Sequence, residues 1–325
     1  MFKKQNQFRG LNGFTPFIFM SNIIAIASGK GGVGKSFLAA NLAFAFRENK
    51  AKILLVDCDL GGANLHHFLG INPPEKTIYS YLRESTSFED IIYHINDYID
   101  FIAGTSDVLG MHHIQYFEKL RILNKMQNLL YDYIILDLGA GTSFNVLDFF
   151  NIASYKVLVV TSEQTSVENA YGFLKIAFLR EAEKTFKNEV SLKNFCDNLK
   201  RKSGSLKNIS ILRKHLTDVS NSYEQKLDSL IGNYKIGIIL NMIKKRNELN
   251  FFFLLDFIVN KYLGFHIEKL GFIPYDNFVG ESLKTQKVYY SNASAIYRSC
   301  FDDLLNVIIR NIQSSEKKNG TAKYK

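Results

Sequence analysis

The stretch Ile23-Ile24-Ala25-Ile26-Ala27-Ser28-Gly29-Lys30-Gly31-Gly32-Val33-Gly34-Lys35-Ser36 decides how this chain folds. A short apolar run of strand character breaks into glycine, and Gly29-x-x-x-x-Gly34-Lys35-Ser36 has the spacing of a phosphate-binding loop. Gly29, Gly31, Gly32 and Gly34 let the backbone curl so that successive N–H groups converge on an anion. Ser36 opens a helix expected over residues 37–48, whose amino-terminal dipole adds to the attraction. Lys35 is placed to neutralise β- and γ-phosphates, and the Ser36 hydroxyl to meet Mg²⁺. A second lysine, Lys30, stands near the start of the loop.

Two further strands end in acid. Leu54-Leu55-Val56-Asp57-Cys58-Asp59 runs into two carboxylates two residues apart, which strand alternation turns to one face. That face is expected to be the phosphate side, with cation or water between the two charges. Cys58 then points into the core. Tyr133-Ile134-Ile135-Leu136-Asp137 delivers another carboxylate where a Mg²⁺ shell would be, followed by the flexible Leu138-Gly139-Ala140-Gly141-Thr142.

Outward from these motifs, short apolar strands alternate with amphipathic helices. Strands are expected at 23–28, 52–57, 100–103, 133–137, 157–161, 236–241 and 267–273. Helices are expected over 118–130, with Leu120, Leu123, Met126, Leu129 and Leu130 on one face, and over 250–262, apolar enough to be well covered. A helix over 167–184 is expected to be capped by Thr165 or Ser166. This rhythm predicts an α/β, three-layer fold with a mostly parallel β-sheet flanked by helices, and ligands at the carboxyl ends of its strands. Residues 181–230, rich in Lys, Asn and Ser, read as a helical excursion. Tyr297, Phe301, Leu304, Leu305, Ile308 and Ile312 recur at helical spacing, which suits a helix packed on the core or one lying on a membrane.

The chain has 325 residues, 46% of them hydrophobic, enough for a large core. Three cysteines give no disulfide framework and suit a reducing compartment. No apolar run is long enough to span a membrane, and the segment 16–28 is too short for one and leads straight into the phosphate loop. The formal charge of +9 could draw DNA, RNA or anionic lipid, or simply keep the protein soluble. The pairs His66-His67 and His112-His113 lack the companions of a metal site and read as surface or loop residues.

The combination resembles the MinD/ParA, or deviant Walker A, family of P-loop ATPases. The resemblance rests on Gly29 through Ser36, on Val56-Asp57-Cys58-Asp59-Leu60-Gly61-Gly62-Ala63-Asn64-Leu65, on Asp132 through Gly141, and on Asn241-Met242 and Gly271-Phe272-Ile273-Pro274-Tyr275-Asp276. Asp59-Leu60-Gly61-Gly62-Ala63-Asn64 and Asp137-Leu138-Gly139-Ala140-Gly141 are similar to the flagellar-number regulators, the FlhG/FleN/YlxH group. The chain departs from that group by lacking its proline after Gln286-Lys287, and residues 1–20 show no convincing activator motif for a flagellar GTPase.

The resemblance implies a P-loop ATPase domain over 21–312, after a loose basic lead at 1–20 and before a polar basic tail at 313–325. It implies that ATP or ADP, with Mg²⁺, is held by Gly29, Lys30, Gly31, Gly32, Val33, Gly34, Lys35, Ser36 and Phe37, with Asn241, Pro274 and Tyr275 at the base. Ser36, Asp57 and Asp137 would surround the metal. Lys30, Lys35 and Asp59 would be catalytic, Asp59 activating water and Lys30 reaching a dimer partner's nucleotide. Expected partners are a second copy in the presence of ATP, a flagellar GTPase or other activator, and an anionic membrane through the last helix. The expected place is the cytoplasm or the inner face of the cell membrane. Competing readings are a DNA-partition ATPase binding nonspecific DNA through Lys200, Arg201, Lys202 and Lys207, and a nucleotide-gated scaffold with little turnover. The want of a Cys-x-x-Cys to hold a bridging cluster argues against an iron–sulfur carrier.

Overall fold

The computed structural model describes residues 21–105, 114–186 and 209–322. Residues 1–20, His112-His113, Cys196 and the basic residues at 200, 201, 202 and 207 lie outside them. An eight-stranded sheet runs in the order β3-β4-β2-β5-β1-β6-β7-β8. Its strands are β1 (Asn22–Ser28), β2 (Ile53–Cys58), β3 (Ile92–Asn96), β4 (Ile99–Ile102), β5 (Tyr133–Ala140), β6 (Tyr155–Thr161), β7 (Gly237–Ile243) and β8 (Glu268–Pro274). Neighbours pair in parallel except β3 and β4, which form an antiparallel pair at one edge. The expected fold class is the one found.

Each central strand is apolar on both sides because both faces are covered. Ile23, Ala25, Ala27, Leu54 and Val56 enter one core layer, while Ile24, Ile26, Ile53 and Leu55 enter the other. The first layer packs against α4 (Tyr116–Gln127), α5 (Phe144–Ile152), α6 (Gln164–Thr185), α7 (Ile209–Val219), α8 (Asn221–Asn233) and α9 (Asn250–Leu263). The second packs against α1 (Lys35–Glu48), the short α2 (Leu65–Leu69), α11 (Tyr289–Asn292) and α12 (Ala295–Ala322). Two small helices, α3 (Ile78–Arg83) and α10 (Phe278–Lys284), and two 3-10 turns at Glu89–Ile91 and Arg246–Leu249 complete the described elements.

Several expectations are corrected. The helix expected over 118–130 stops at Gln127, and Leu130 is 92% exposed. The chain must leave the helix there to reach β5. Strand β5 continues past Asp137 to Ala140, so the glycine segment begins as strand. Helix α6 starts at Gln164, earlier than expected, with Glu163 at its cap and no side-chain capping bond. The Ser166 hydroxyl instead accepts from the Thr161 N–H. Strand β3 was not anticipated: its partly polar Tyr93-His94-Ile95-Asn96 carries little strand signal and sits at an edge. Phe301, Leu304, Leu305, Ile308 and Ile312 of α12 are buried in the core, so the apolar face that a membrane role for this helix would need is already covered. Helix α9, expected to be well covered, leaves Phe253, Leu254 and Phe257 exposed.

Candidate functional site

The carboxyl ends of β1, β2, β5, β7 and β8 open on a cavity of about 490 Å³, where ligands of such sheets bind. Gly31, Gly32, Gly34, Lys35 and Ser36 form its floor, and Asn241, Met242, Pro274 and Tyr275 one wall. Gly34 has φ 89° as the residue before α1, and a Cβ there would meet Asn241 Nδ2 at 2.2 Å. No other residue fits both the left-handed backbone and that approach. Gly29 has a different reason to be glycine: its Cβ would lie 2.3 Å from the Asn169 carbonyl oxygen on α6. It lets the loop sit on α6 and does not line the cavity.

Lys35 is buried at the base of α1. Ser36 lies beside it, with its hydroxyl close enough to Asp137 to pull that carboxyl's pKa down. Asp57 and Asp137 face each other in register on β2 and β5, each only 1% exposed. Burial, then the charge of Asp57, pushes the Asp137 carboxyl well above the usual carboxylate range, against the pull of Ser36 and Lys35. Burial likewise raises Asp57, opposed by backbone N–H groups. Asp57 Oδ1 accepts from Asp59 N at 3.0 Å and Oδ2 from Leu65 N at 3.1 Å. Asp137 Oδ1 is buried without any hydrogen-bond partner.

An orphaned carboxylate oxygen beside a serine hydroxyl and between like charges fits a hard cation. Among the described residues no group of three or more His, Cys, Asp or Glu forms a closed metal cage. Mg²⁺ suits such a site, because it keeps waters and shares its shell with phosphate oxygens. Asp59, past the end of β2, does reach the cavity; Asp57 does not line it. The expectation that the two share one face thus fails, because the strand ends at Cys58 and alternation ends with it. Cys58 is buried, and burial raises its thiol.

Asn241 is 2% exposed and donates from Nδ2 to the Val33 carbonyl at 2.8 Å, so it braces the phosphate loop as well as lining the cavity. Val33 itself is buried. Phe37 forms part of the cavity wall while its ring packs edge-on against Tyr289 and Phe301. Tyr275 is 46% exposed, with Lys244 Nζ 4.7 Å from its ring centre. Lys30 lies outside the cavity: its ammonium pairs with Glu163 and donates to Thr165 Oγ1 at 3.2 Å. Helix α6 therefore holds the early lysine of the same chain.

The far wall is made by Phe68, Asp276, Asn277, Val279 and Leu283; the sequence offered Asp276 only as part of a motif and did not single out the others. Asp276 and Asn277 follow the carboxyl end of β8, a position rule that could have found them. Phe68 carried no signal, since an apolar residue on a five-residue helix looks like core. His66 and His67 stack at 4.0 Å on α2 and join no metal group.

A family model described as the CobQ/CobB/MinD/ParA nucleotide binding domain matches residues 24–288. The flagellum site-determining protein YlxH of Helicobacter pylori is 34% identical over 158 residues, 48% of this chain and 53% of that protein. The match thus spans about half the length of YlxH. The antiactivator FleN of Pseudomonas aeruginosa is 23% identical over 271 residues, covering 82% of this chain and 79% of FleN. The septum site-determining protein MinD of Pyrococcus horikoshii, solved with Mg-ADP, superposes with a TM-score of 0.57 at 20% identity, covering 88% of this chain and 95% of that one. This chain belongs to the CobQ/CobB/MinD/ParA family of nucleotide-binding proteins.

Proposed function

We propose that this protein is an ATP-hydrolysing switch that dimerises on ATP and governs the placement or number of flagella. The observation that carries the proposal is the division of labour between its two loop lysines. Lys35 is buried at the cavity floor, while Lys30 is turned outward and held by Glu163 and Thr165. A lysine on that side of the loop is free to exchange its carboxylate for the phosphates of a second copy. The flagellar assignment rests on the similarity to YlxH and FleN.

In this reading residues 21–312 act as one ATPase domain. The loop from Gly29 to Ser36 cradles the phosphates, with Val33 and Phe37 fixing its shape. Asn241, Pro274 and Tyr275 border the base. Ser36 and Asp137, with Asp57 behind them, would hold Mg²⁺, which supplies positive charge against the β- and γ-phosphate oxygens. Asp59 orients the attacking water and accepts its proton. Lys35 and the partner's copy of the early lysine offset charge that develops on the phosphate oxygens. Hydrolysis then weakens the dimer, because part of the charge joining the two copies leaves with phosphate. An activating partner protein acts on the dimer on the cytoplasmic side of the membrane.

Light scattering with ATP and Mg²⁺, beside phosphate release, tests the proposal. Asp59→Ala is expected to keep the dimer and slow hydrolysis, and Lys30→Ala to lose the ATP-dependent dimer. A monomeric Asp59→Ala, or an unchanged association constant for Lys30→Ala, refutes the roles assigned.

A further inference from the structure

Helix α9 is apolar on more of its circumference than the core uses. Phe252, Leu255, Val259 and Leu263 are buried, at helical spacing, against the sheet. Phe253, Leu254 and Phe257 point the other way, 64%, 46% and 63% exposed. They lie at i, i+1 and i+4, so they form one contiguous face. Such a patch, left in water, marks an interaction surface.

Lysines flank it. Lys269 Nζ sits 3.6 Å from the centre of the Phe253 ring, and Lys261 Nζ 5.6 Å from that of Phe257. Among the described residues neither lysine forms an ion pair. Lys244, Lys245 and Arg246, just before the helix, are exposed as well. The neighbouring acids already have hydrogen-bond partners. Asp256 accepts from the Ile267 N–H and faces His266; Glu268 accepts from Tyr155 and Asn311; Glu248 accepts from Ser162 and the Lys244 N–H.

We propose that this α9 face docks the protein on an anionic lipid surface. Rings seated at the headgroup boundary remove the exposed apolar area from water, while long lysine side chains reach lipid phosphates. A second copy of the chain would set lysine against lysine. A nucleic-acid duplex, its bases stacked inside, would satisfy the cations and leave the rings wet. The apolar face of α12 is taken up by the core, whereas α9 carries exposed rings flanked by lysines that pair with no acid among the described residues. The inference goes beyond the nucleotide switch and does not depend on it.

The test is flotation of the full-length protein with vesicles of phosphatidylcholine, alone or mixed with phosphatidylglycerol. Binding is expected only with phosphatidylglycerol and is expected to weaken with salt. F253S/F257S is expected to lower the partition coefficient about tenfold or more, and K261S/K269S by up to about twenty-five-fold, on the order of fivefold per lysine. Thermal unfolding and nucleotide binding, measured on the same variants, are expected to stay unchanged, which separates this surface from the nucleotide site. The proposal is overturned if the wild type ignores anionic vesicles, including the case in which it captures only an acidic protein. It is equally overturned if F253S/F257S floats like the wild type, or if K317S/K318S in the tail abolishes binding while the α9 face is intact.

Discussion

Two buried carboxylate centres in this protein are built in opposite ways. At the cavity, Asp57 and Asp137 face each other in register, and burial and mutual charge push both carboxyls up. On the other side of β5, Asp148 of α5 is also 1% exposed, yet three cations surround it. Lys119 of α4 lies at 2.8 Å, Arg180 of α6 at 2.7 Å and Lys184 at 3.1 Å. Burial alone would raise Asp148. The hydrogen bonds from Arg180 and Lys119, with the charge of Lys184, outweigh it and hold the carboxyl down at about 2. One centre has cations in excess, with the Lys184 Nζ making an ion pair but no hydrogen bond, and ties three helices together. The other is short of positive charge and has an oxygen with no partner. Burial of acid therefore says little by itself; its counter-charges distinguish a clamp from a site waiting for a cation.

The sharpest way to break this comparison is Asp148→Ala. It strands the Lys119 ammonium, which is 3% exposed, beside two other cations. Unfolding free energy in urea is expected to fall by about 3–5 kcal/mol; a loss below about 1 kcal/mol would mean that the three cations do not depend on the carboxylate. Asp137→Asn should do the reverse. Without Mg²⁺ or nucleotide it relieves repulsion between buried acids, so stability is expected to hold or rise by about 1 kcal/mol. Calorimetry of Mg²⁺-dependent nucleotide binding on the same variant is expected to show at least about tenfold weaker affinity, from the lost charge at the metal. A variant destabilised as much as Asp148→Ala would erase the contrast.

The pH response carries the same sign difference. A carboxyl lowered in the folded state contributes stability that is present above its unfolded value of 3.8 and is lost as pH falls toward about 2. That contribution is about 2 kcal/mol, and Asp148→Asn is expected to flatten the acid limb of a profile of unfolding free energy against pH by that amount. The raised pair acts oppositely: its contribution is present below the usual carboxylate value and is lost as pH rises through the raised ones. The smallest stability effect is expected for Glu163→Gln. Glu163 is 67% exposed, so the change should stay within about 0.5 kcal/mol. Lys30 would nevertheless be released, and light scattering is expected to show a tighter ATP-dependent dimer. A weaker dimer would show that Glu163 assists the exchange instead of competing with it.

The phosphate loop was legible because its information is local. Glycine spacing, the lysine after Gly34 and the hydroxyl at Ser36 act within one turn of chain, and strand β1 behind them is apolar on both faces. The acids at the ends of β2 and β5 were legible for the same reason, though the direction of Asp59 was not, since it depends on where β2 stops. The Asp148 clamp escaped notice because its four members come from three helices, and no spacing along the chain reports a contact across helices. Strand β3 escaped because an edge strand need not be apolar. In α9 the sequence displayed more apolar positions than one helix face can bury, and hydropathy alone counts them all as core.

What the chain determined by itself was the alternation of central strands with helices, the anion-binding loop and the kind of ligand it accepts, all set by backbone preferences and by residues a few positions apart. Tertiary structure alone decided that Lys30 rests on Glu163, that Asn241 braces Val33, that α12 buries its apolar face and that α9 does not. Those outcomes depend on which surfaces are left when every other element has packed, and packing joins residues that the chain keeps far apart.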